Sequence, residues 1–288
     1  MRQSSYDGSA SLYLIPTPIG NLDDITVRAL KTLEMVDFIL CEDTRESGKL
    51  LNHFNIKKKL VSCHEYNEDK IKEYVISELA SGKNIGLITD QGSPVVSDPG
   101  YVVSKAVIEH HFNVIALPGA TAFVPALTSS GISPSPFLFY GFLQTKESKI
   151  KAELMSLSKL PYTLIFYEAP HRIEKTLGYM LEVFGNRNIS IHREISKLHE
   201  EICRGTIQEL IPIVSELRGE FVLIVDGNHE KIDYSSMSVL EHVQLYLDDG
   251  MSEKDAIKTV ARERGVAKSI IYKAVSYTHL RAHETLSD

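Results

Sequence analysis

The sequence is poor in cysteine, in uninterrupted apolar runs and in net positive charge, and each shortage narrows what the chain does. Its three cysteines, Cys41, Cys63 and Cys203, are widely spaced, odd in number and without a C-x-x-C pair. That pattern argues against a disulfide framework and a structural zinc, and it fits a reducing compartment. The neighbours His110 and His111 point different ways on a helix, so they lack the spacing of a metal pair. No metal is expected. Residues 1–11 are polar and no later stretch is apolar for long enough to span a bilayer, so a soluble, cytoplasmic protein is expected. A formal net charge of -7 argues against a surface coated in positive charge, and any nucleic-acid contact must come from a local patch.

What is present is material for two average domains, with 288 residues of which 43% are hydrophobic. Short apolar runs at 12–15, 38–41, 60–63, 85–89 and 114–117 alternate with periodic stretches. This is the βαβ signature of a largely parallel sheet. In the helix expected over 26–36, Val27, Leu30 and Leu33 repeat at the spacing of one buried face. A loop rich in Pro, Ser and Phe over 131–143 breaks the pattern before a charged helix at 146–158. The domain boundary is placed there, giving an α/β domain at 12–130 and a second at 137–227. The second has strands at 163–167, 189–194 and 221–225 and helices near 171–184 and 206–217, the latter opening on a Thr206/Glu209 capping box.

Beyond Gly227 three short helices are expected, near 238–247, 252–264 and 268–275, forming a C-terminal module over 238–275. Ser238 with Glu241 and Ser252 with Asp255 mark two starts, and Gly265 a stop. The last two helices have the size of a helix-turn-helix. Six basic residues (Lys254, Lys258, Arg262, Arg264, Lys268, Lys273) outnumber three acidic ones there. The pattern reads equally as a nucleic-acid reader and as a helical hairpin with solvated charges. Residues 276–288 continue neither the apolar period nor the capping logic, read as a tail of non-native origin, and are set aside.

The stretch GLITDQGSPVVSDPG, 86–100, carries the most chemistry. A buried strand ends at Asp90 and opens into a loop with Gly92, Pro94, Pro99 and Gly100, and ligands of open α/β sheets bind at such carboxyl ends. Glycines let backbone amides approach a ligand, and Asp90 and Asp98 accept hydrogen bonds from hydroxyl or ammonium groups; the same residues also serve as turn formers. A second small-residue loop, PGATA at 118–122, follows the next strand. Two such loops converging on one sheet edge indicate a ligand cleft. The absence of G-x-G-x-x-G after a strand disfavours a dinucleotide, and the absence of G-x-x-x-x-G-K-[ST] disfavours a P-loop.

Taken together, LIPTPIGNLDDIT (14–26), CEDTR (41–45), GLITDQGSPVVSDPG, PGATA and FYEAPHR (166–172), supported by REISK (193–197) and EEICRGT (200–206), resemble the ribosomal RNA small subunit methyltransferase I family, a branch of the tetrapyrrole methylase superfamily. The chain departs from the family's usual pattern at Gln91, where Ala is usual, and at Ser93, where Thr or Met is. The resemblance implies two α/β domains with S-adenosyl-L-methionine in the cleft between them. The cofactor would be held by Asp90, Gly92, Ser93, Pro94, Val95, Ser97, Asp98, Ala120, Thr121, Ala122, Phe166, Tyr167 and Glu168. It also implies 2'-O-methylation of a cytidine in the decoding region of small-subunit (16S) ribosomal RNA, in the assembled subunit, by a homodimer.

A sulfonium methyl is already electrophilic, so positioning supplies much of the rate. Proton removal from the ribose hydroxyl would help, and Lys197, Glu168 and, behind them, Glu200 are the candidate bases. Arg45, Arg172 and Arg193 are candidates to clamp RNA phosphates, or else pair with carboxylates such as Glu42 and Glu194. Arg264, Lys268 and Lys273 are the corresponding candidates in the C-terminal module. Tyr140, Phe142 and Tyr167 are candidates for stacking on the adenine ring or a flipped base, with apolar packing favoured for Phe142. Two rivals stay open: a superfamily member acting on a porphyrin-like macrocycle or a translation factor, and a transcription regulator with an α/β sensor and a helix-turn-helix.

Overall fold

A computed structural model describes residues 2–5, 7–229 and 237–284, with side chains through 276. The chain divides into two compact units, Met1–Asn228 and His229–Asp288.

The first unit holds two sheets. Strands β1 (Ser11–Leu14), β2 (Phe38–Cys41), β3 (Lys59–Ser62), β4 (Ile85–Leu87) and β5 (Asn113–Ala116) form a parallel sheet in the order β3-β2-β4-β1-β5. All five fall where the apolar runs put them, within the residue or two by which strand ends differ. Helices α1 (Val27–Met35), α2 (Thr44–His53), α3 (Glu68–Ala80), α4 (Tyr101–Glu109) and α5 (Phe123–Ser129) connect or follow them. Successive strand side chains face opposite ways. Ile39 therefore packs with Ile15, Leu33 and Ile88 on one face, and Leu40 with Leu12, Val75 and Val103 on the other. Helix α1 is capped by Thr26, whose side chain accepts from Ala29 N. Its buried stripe is Ala29, Thr32 and Leu33. Val27, expected on that stripe, is 68% exposed, because it stands in the first turn and the helix is rolled to put Ala29 inward.

The second sheet comprises β6 (Phe137–Phe142), β7 (Thr163–Glu168), β8 (Asn188–Arg193), β9 (Glu201–Thr206) and β10 (Phe221–Val225), in the order β6-β7-β10-β8-β9. Only β6 and β7 run parallel. Helices α6 (Glu147–Leu157), α7 (Ile173–Phe184) and α8 (Ile207–Val214) supply residues such as Leu154, Leu177 and Leu210 to a core with Leu164, Phe166 and Leu223. The opposite face, with Ile165, Val222 and Ile224, receives Ala126 and Leu127 of α5. A helix that follows the first sheet thus covers the second. Strand β6 lies inside the stretch expected to be a loop.

In the second unit α9 (Val239–Asp248), α10 (Glu253–Glu263) and α11 (Lys268–Glu284) bury Val243, Ile257, Val260, Ile271 and Val275 together. The Ser238/Glu241 capping box forms, and Ser252 caps α10. Helix α11 runs past Val275, through most of the segment read as a tail. No helix among the described residues is long and apolar enough to cross a membrane.

Candidate functional site

At the carboxyl edge of the parallel sheet, the loop after β4 is tied to the loop after β1. Thr17 N donates to Gly92 O at 2.9 Å and Gly92 N to Thr17 O at 3.0 Å, while Thr17 Oγ1 donates to Thr89 O. Gly92 adopts φ +84°, a left-handed conformation that favours glycine. Ser93 Oγ donates to Ala120 O at 3.0 Å, so the two small-residue loops meet as their sequences suggest. On the second sheet, β7 ends where the antiparallel β10 begins, Glu168 opposite Phe221. Between the two lies a cleft of about 400 Å³, lined on one side by Gly92, Ser93, Ser97, Asp98, Thr121 and Ala122. The other side presents Phe142, Tyr167, Ala169, Ile195, Glu220 and Phe221.

Backbone strain concentrates on these walls. Val95 (φ +76°) and Ser97 (φ +64°) lie on one, and Glu194 (φ +52°) and Ser196 (φ +71°) on the loop after β8. Left-handed non-glycine residues cost about 1–3 kcal/mol each and persist where surrounding structure imposes them, typically at functional sites.

The first wall carries the carboxylate of Asp98, with Asp90 and Glu42 near it but outside the lining. Burial pushes the Asp98 carboxyl up to about 6, against the hydrogen bond it accepts from Thr89 Oγ1 at 2.7 Å. Asp90 and Glu42 are also raised, by burial first and then by neighbouring carboxylates. Among the described residues, the charged groups that act on Asp98 are the carboxylates of Glu42 and Asp90. A carboxylate so placed favours a cationic ligand.

The expected site residues divide. Gly92, Ser93, Ser97, Asp98, Thr121, Ala122, Tyr167 and Glu168 lie along the cleft. Pro94 is buried beneath the loop and Val95 packs into the core under β4. Asp90 accepts from Asp43 N at 3.3 Å outside the lining. Ala120 lines a neighbouring cavity. Phe166 is wholly buried in the second sheet's core, because strand alternation sends Phe166 and Tyr167 to opposite faces. Phe142, expected to pack, is 54% exposed in the cleft and meets Tyr167 edge-on at 5.5 Å. Tyr140 instead packs against Phe166.

The candidate bases are engaged. Glu168 is 2% exposed; its Oε1 accepts from Ala169 N and pairs with Arg172 Nε, and its Oε2 accepts from Thr176 Oγ1 at 2.5 Å. Lys197 Nζ pairs with Glu194 at 3.1 Å and Glu220 at 2.8 Å. Burial pulls its pKa down, but those two bonds outweigh it and the net shift is upward, so the amine is held as a cation. Neither side chain is poised to take a proton. Glu200 is exposed and accepts from Ser196 N. Gln91, with its amide oriented to satisfy its surroundings, donates to Glu220 Oε2 and Ile19 O, both at 3.3 Å. Gln91, Glu220 and Lys197 thereby link the two walls.

Of the arginines, Arg172 donates to Leu143 O and Gln144 O besides pairing with Glu168. Arg193 pairs with Glu201 and donates to Arg218 O. Both are fastened within the second sheet's half, to partners other than Glu42 and Glu194. Arg45 pairs with Asp43 and is 84% exposed. In the helical unit Arg264 binds His242 Nδ1, Met237 O and Ser238 O, whereas Lys268 and Lys273 are exposed. Sequence reasoning missed Ile195, Glu220 and Phe221 as cleft residues; the available signal was that β8 ends, and β10 begins, at the edge where β7 ends.

Residues 11–211 match the family model described as Tetrapyrrole (Corrin/Porphyrin) Methylases. The chain is 45% identical over 284 residues to the Ribosomal RNA small subunit methyltransferase I of Bacillus subtilis (strain 168), covering 95% of this chain and 97% of the relative. It is also 45% identical over 280 residues to the protein of that name from Halalkalibacterium halodurans, covering 94% and 97%. The crystal structure of the methyltransferase CobJ superposes with a TM-score of 0.57 at 17% identity, covering 77% of this chain and 95% of that one, a likeness of fold. With the match running from β1 into α8 and near-full-length relatives at this identity, the chain belongs to the tetrapyrrole methylases and, among them, to the ribosomal RNA small subunit methyltransferase I family.

Proposed function

We propose that this chain is an S-adenosylmethionine-dependent methyltransferase of small-subunit (16S) ribosomal RNA. In this reading it methylates the ribose 2'-hydroxyl of a cytidine in the decoding region, acting on the assembled subunit as a cytoplasmic homodimer. The observation that carries the reading is the glycine-walled cleft between the two sheets, which we read as two α/β domains (12–130 and 137–227), in a chain whose relatives are named for methylating small-subunit ribosomal RNA.

The cleft suits the cofactor. Asp98 offers negative charge to a sulfonium or ammonium group, Gly92 lets a ligand approach closely, Ser93, Ser97 and Thr121 offer hydrogen-bonding groups, and Tyr167 and Phe142 offer ring faces for adenine. Bound there, S-adenosylmethionine supplies a methyl carbon already activated for attack. The protein's own contribution is placement and exclusion of water. Lys197, bridging Glu194 and Glu220, is given a positioning role: it holds the loop after β8 against Gly20. RNA phosphates are assigned to Arg45, Lys268 and Lys273, which are exposed, whereas Arg172, Arg193 and Arg264 are given internal roles.

The test is titration calorimetry with S-adenosylmethionine, followed by transfer of its radiolabelled methyl group to small subunits lacking the modification and to naked RNA. Binding plus label in subunit RNA supports the proposal. Binding with no label in either RNA would move the chain to the macrocycle- or protein-methylating branches.

A further inference from the structure

Two kinds of contact join the two sheets' halves of the first unit. One is apolar: Ala126 and Leu127 of α5 are buried against Ile165, Val222 and Ile224, and exposing such surfaces to water is costly. The other is polar and runs along the cleft, whose lining includes both Gln91 and Glu220. The Gln91 amide donates to Glu220 Oε2 and to Ile19 O, both at 3.3 Å, and Lys197 Nζ meets the same Glu220 oxygen at 2.8 Å. Nearby, Ser196 Oγ donates to Asp24 Oδ2. Gln91 is exposed, and the Glu220 side chain keeps 66% of its surface in water. Polar contacts so exposed contribute little each and break readily.

Both ends of the Gln91–Glu220 contact are fixed from behind. Gln91 adjoins Gly92, whose N and O are both bonded to Thr17. Glu220 N donates to Glu194 Oε1 at 2.9 Å, and Glu220 O accepts from Glu194 N at 3.0 Å. Gly219, at φ +112°, brings the backbone so close that a β-carbon there would meet Glu194 Cγ at 2.5 Å. A breakable side-chain bridge between two rigid ends can open while both walls keep their shape.

We propose that the Gln91–Glu220 contact, backed by Lys197, is a strap across the cleft that must open for its occupant to enter or leave. Gln91 and Glu220 are then positioning residues whose pairing sets the exchange rate. The occupant rests on the methyltransferase reading above: the strap retains S-adenosylmethionine through transfer and then delays S-adenosylhomocysteine, the thioether left when the methyl group has gone. Where product release waits on such an opening, it sets turnover. Neither side chain is assigned to the ligand, so weakening the strap speeds entry and exit together and leaves affinity nearly unchanged.

Stopped-flow binding and displacement, with S-adenosylmethionine and S-adenosylhomocysteine as probes, measure both rates. Gln91→Ala removes an exposed side chain and opens no core cavity; it should raise association and dissociation rates about fivefold, the worth of one hydrogen bond, with Kd changed less than about twofold. Gln91→Glu sets two carboxylates face to face and should be at least as fast. Adding Glu220→Gln to it exchanges donor and acceptor and should bring both rates back near those of the wild type. Hydrogen exchange of the free protein reads the strap without a ligand, and Gln91→Ala should speed it over 194–200 at least about threefold. Wild-type rates in Gln91→Ala, a Kd that rises with dissociation alone, or a double variant as fast as Gln91→Glu overturns the proposal and leaves the cofactor reading standing. If hydrogen exchange responds as described but neither compound binds the wild-type protein, the strap stands and the cofactor reading fails.

Discussion

At Gly20 the backbone has φ +153°, and a β-carbon there would meet Lys197 Cγ at 2.3 Å. Gly20→Ala must push Lys197 off its pairs with Glu194 and Glu220. Overpacking of this kind costs about 1–3 kcal/mol, read as a lowered midpoint in thermal denaturation. The glycine was visible in the LIPTPIG segment, yet its reason was not, since the partner lies on the other sheet's half of the unit. Asp98 was legible as a ligand-facing carboxylate, but its raised pKa needs the folded site. With burial holding its pKa at about 6 in the free protein, the carboxyl is neutral below that pH and charged above it. Affinity for a cationic cofactor is therefore expected to be full above pH 6 and to fall up to about tenfold per pH unit below it. Asp98→Asn should bind more weakly at neutral pH and lose this dependence, as calorimetry across pH 5–8 would show.

At the scale of elements, the loop that forms the first wall is anchored from behind. Glu68, in the first turn of α3 and 6% exposed, accepts from Gly100 N at 2.9 Å and Val102 N at 2.8 Å, capping α4. Glu68→Ala strands two amides at about 1–3 kcal/mol each, about 2–6 kcal/mol together, and denaturant unfolding should show a loss of that size, partly restored by Glu68→Gln. The parallel strands were readable because strands covered on both faces are continuous apolar runs. Strand β6 was not, because Pro134 and Pro136 precede it and Gly141 (φ +83°) interrupts its pairing with β7, so turn residues masked its pattern. Strand β9 is an edge carrying Glu201 and Arg204 and half-buried along most of its length. Edge strands are kept polar to avoid pairing with other chains, and that polarity hides them from a search for apolar runs.

For the whole molecule, His192 ties stability to pH. Burial first, and then the charge of Arg204, lowers its pKa to about 4 in the folded chain from an ordinary 6.5. Between those values the unfolded chain binds a proton that the native chain refuses, so stability is full above pH 6.5 and falls as pH drops toward 4. The loss is about 2 kcal/mol at pH 5, and His192→Gln should flatten that part of the profile. The fold and the glycine-rich wall of the cleft were largely legible because sheet edges and glycine loops are local patterns. The neighbouring cavity was not, because Asp24, Val124, His192 and Glu200 come from four separate segments.

The reaction is defined by the atom that receives the methyl group. Small subunits lacking the modification, incubated with the protein and radiolabelled S-adenosylmethionine, would be digested to nucleosides and separated. Label is expected in 2'-O-methylcytidine from the decoding region; label on a base, or on the ribose of another nucleoside, would overturn the proposed reaction.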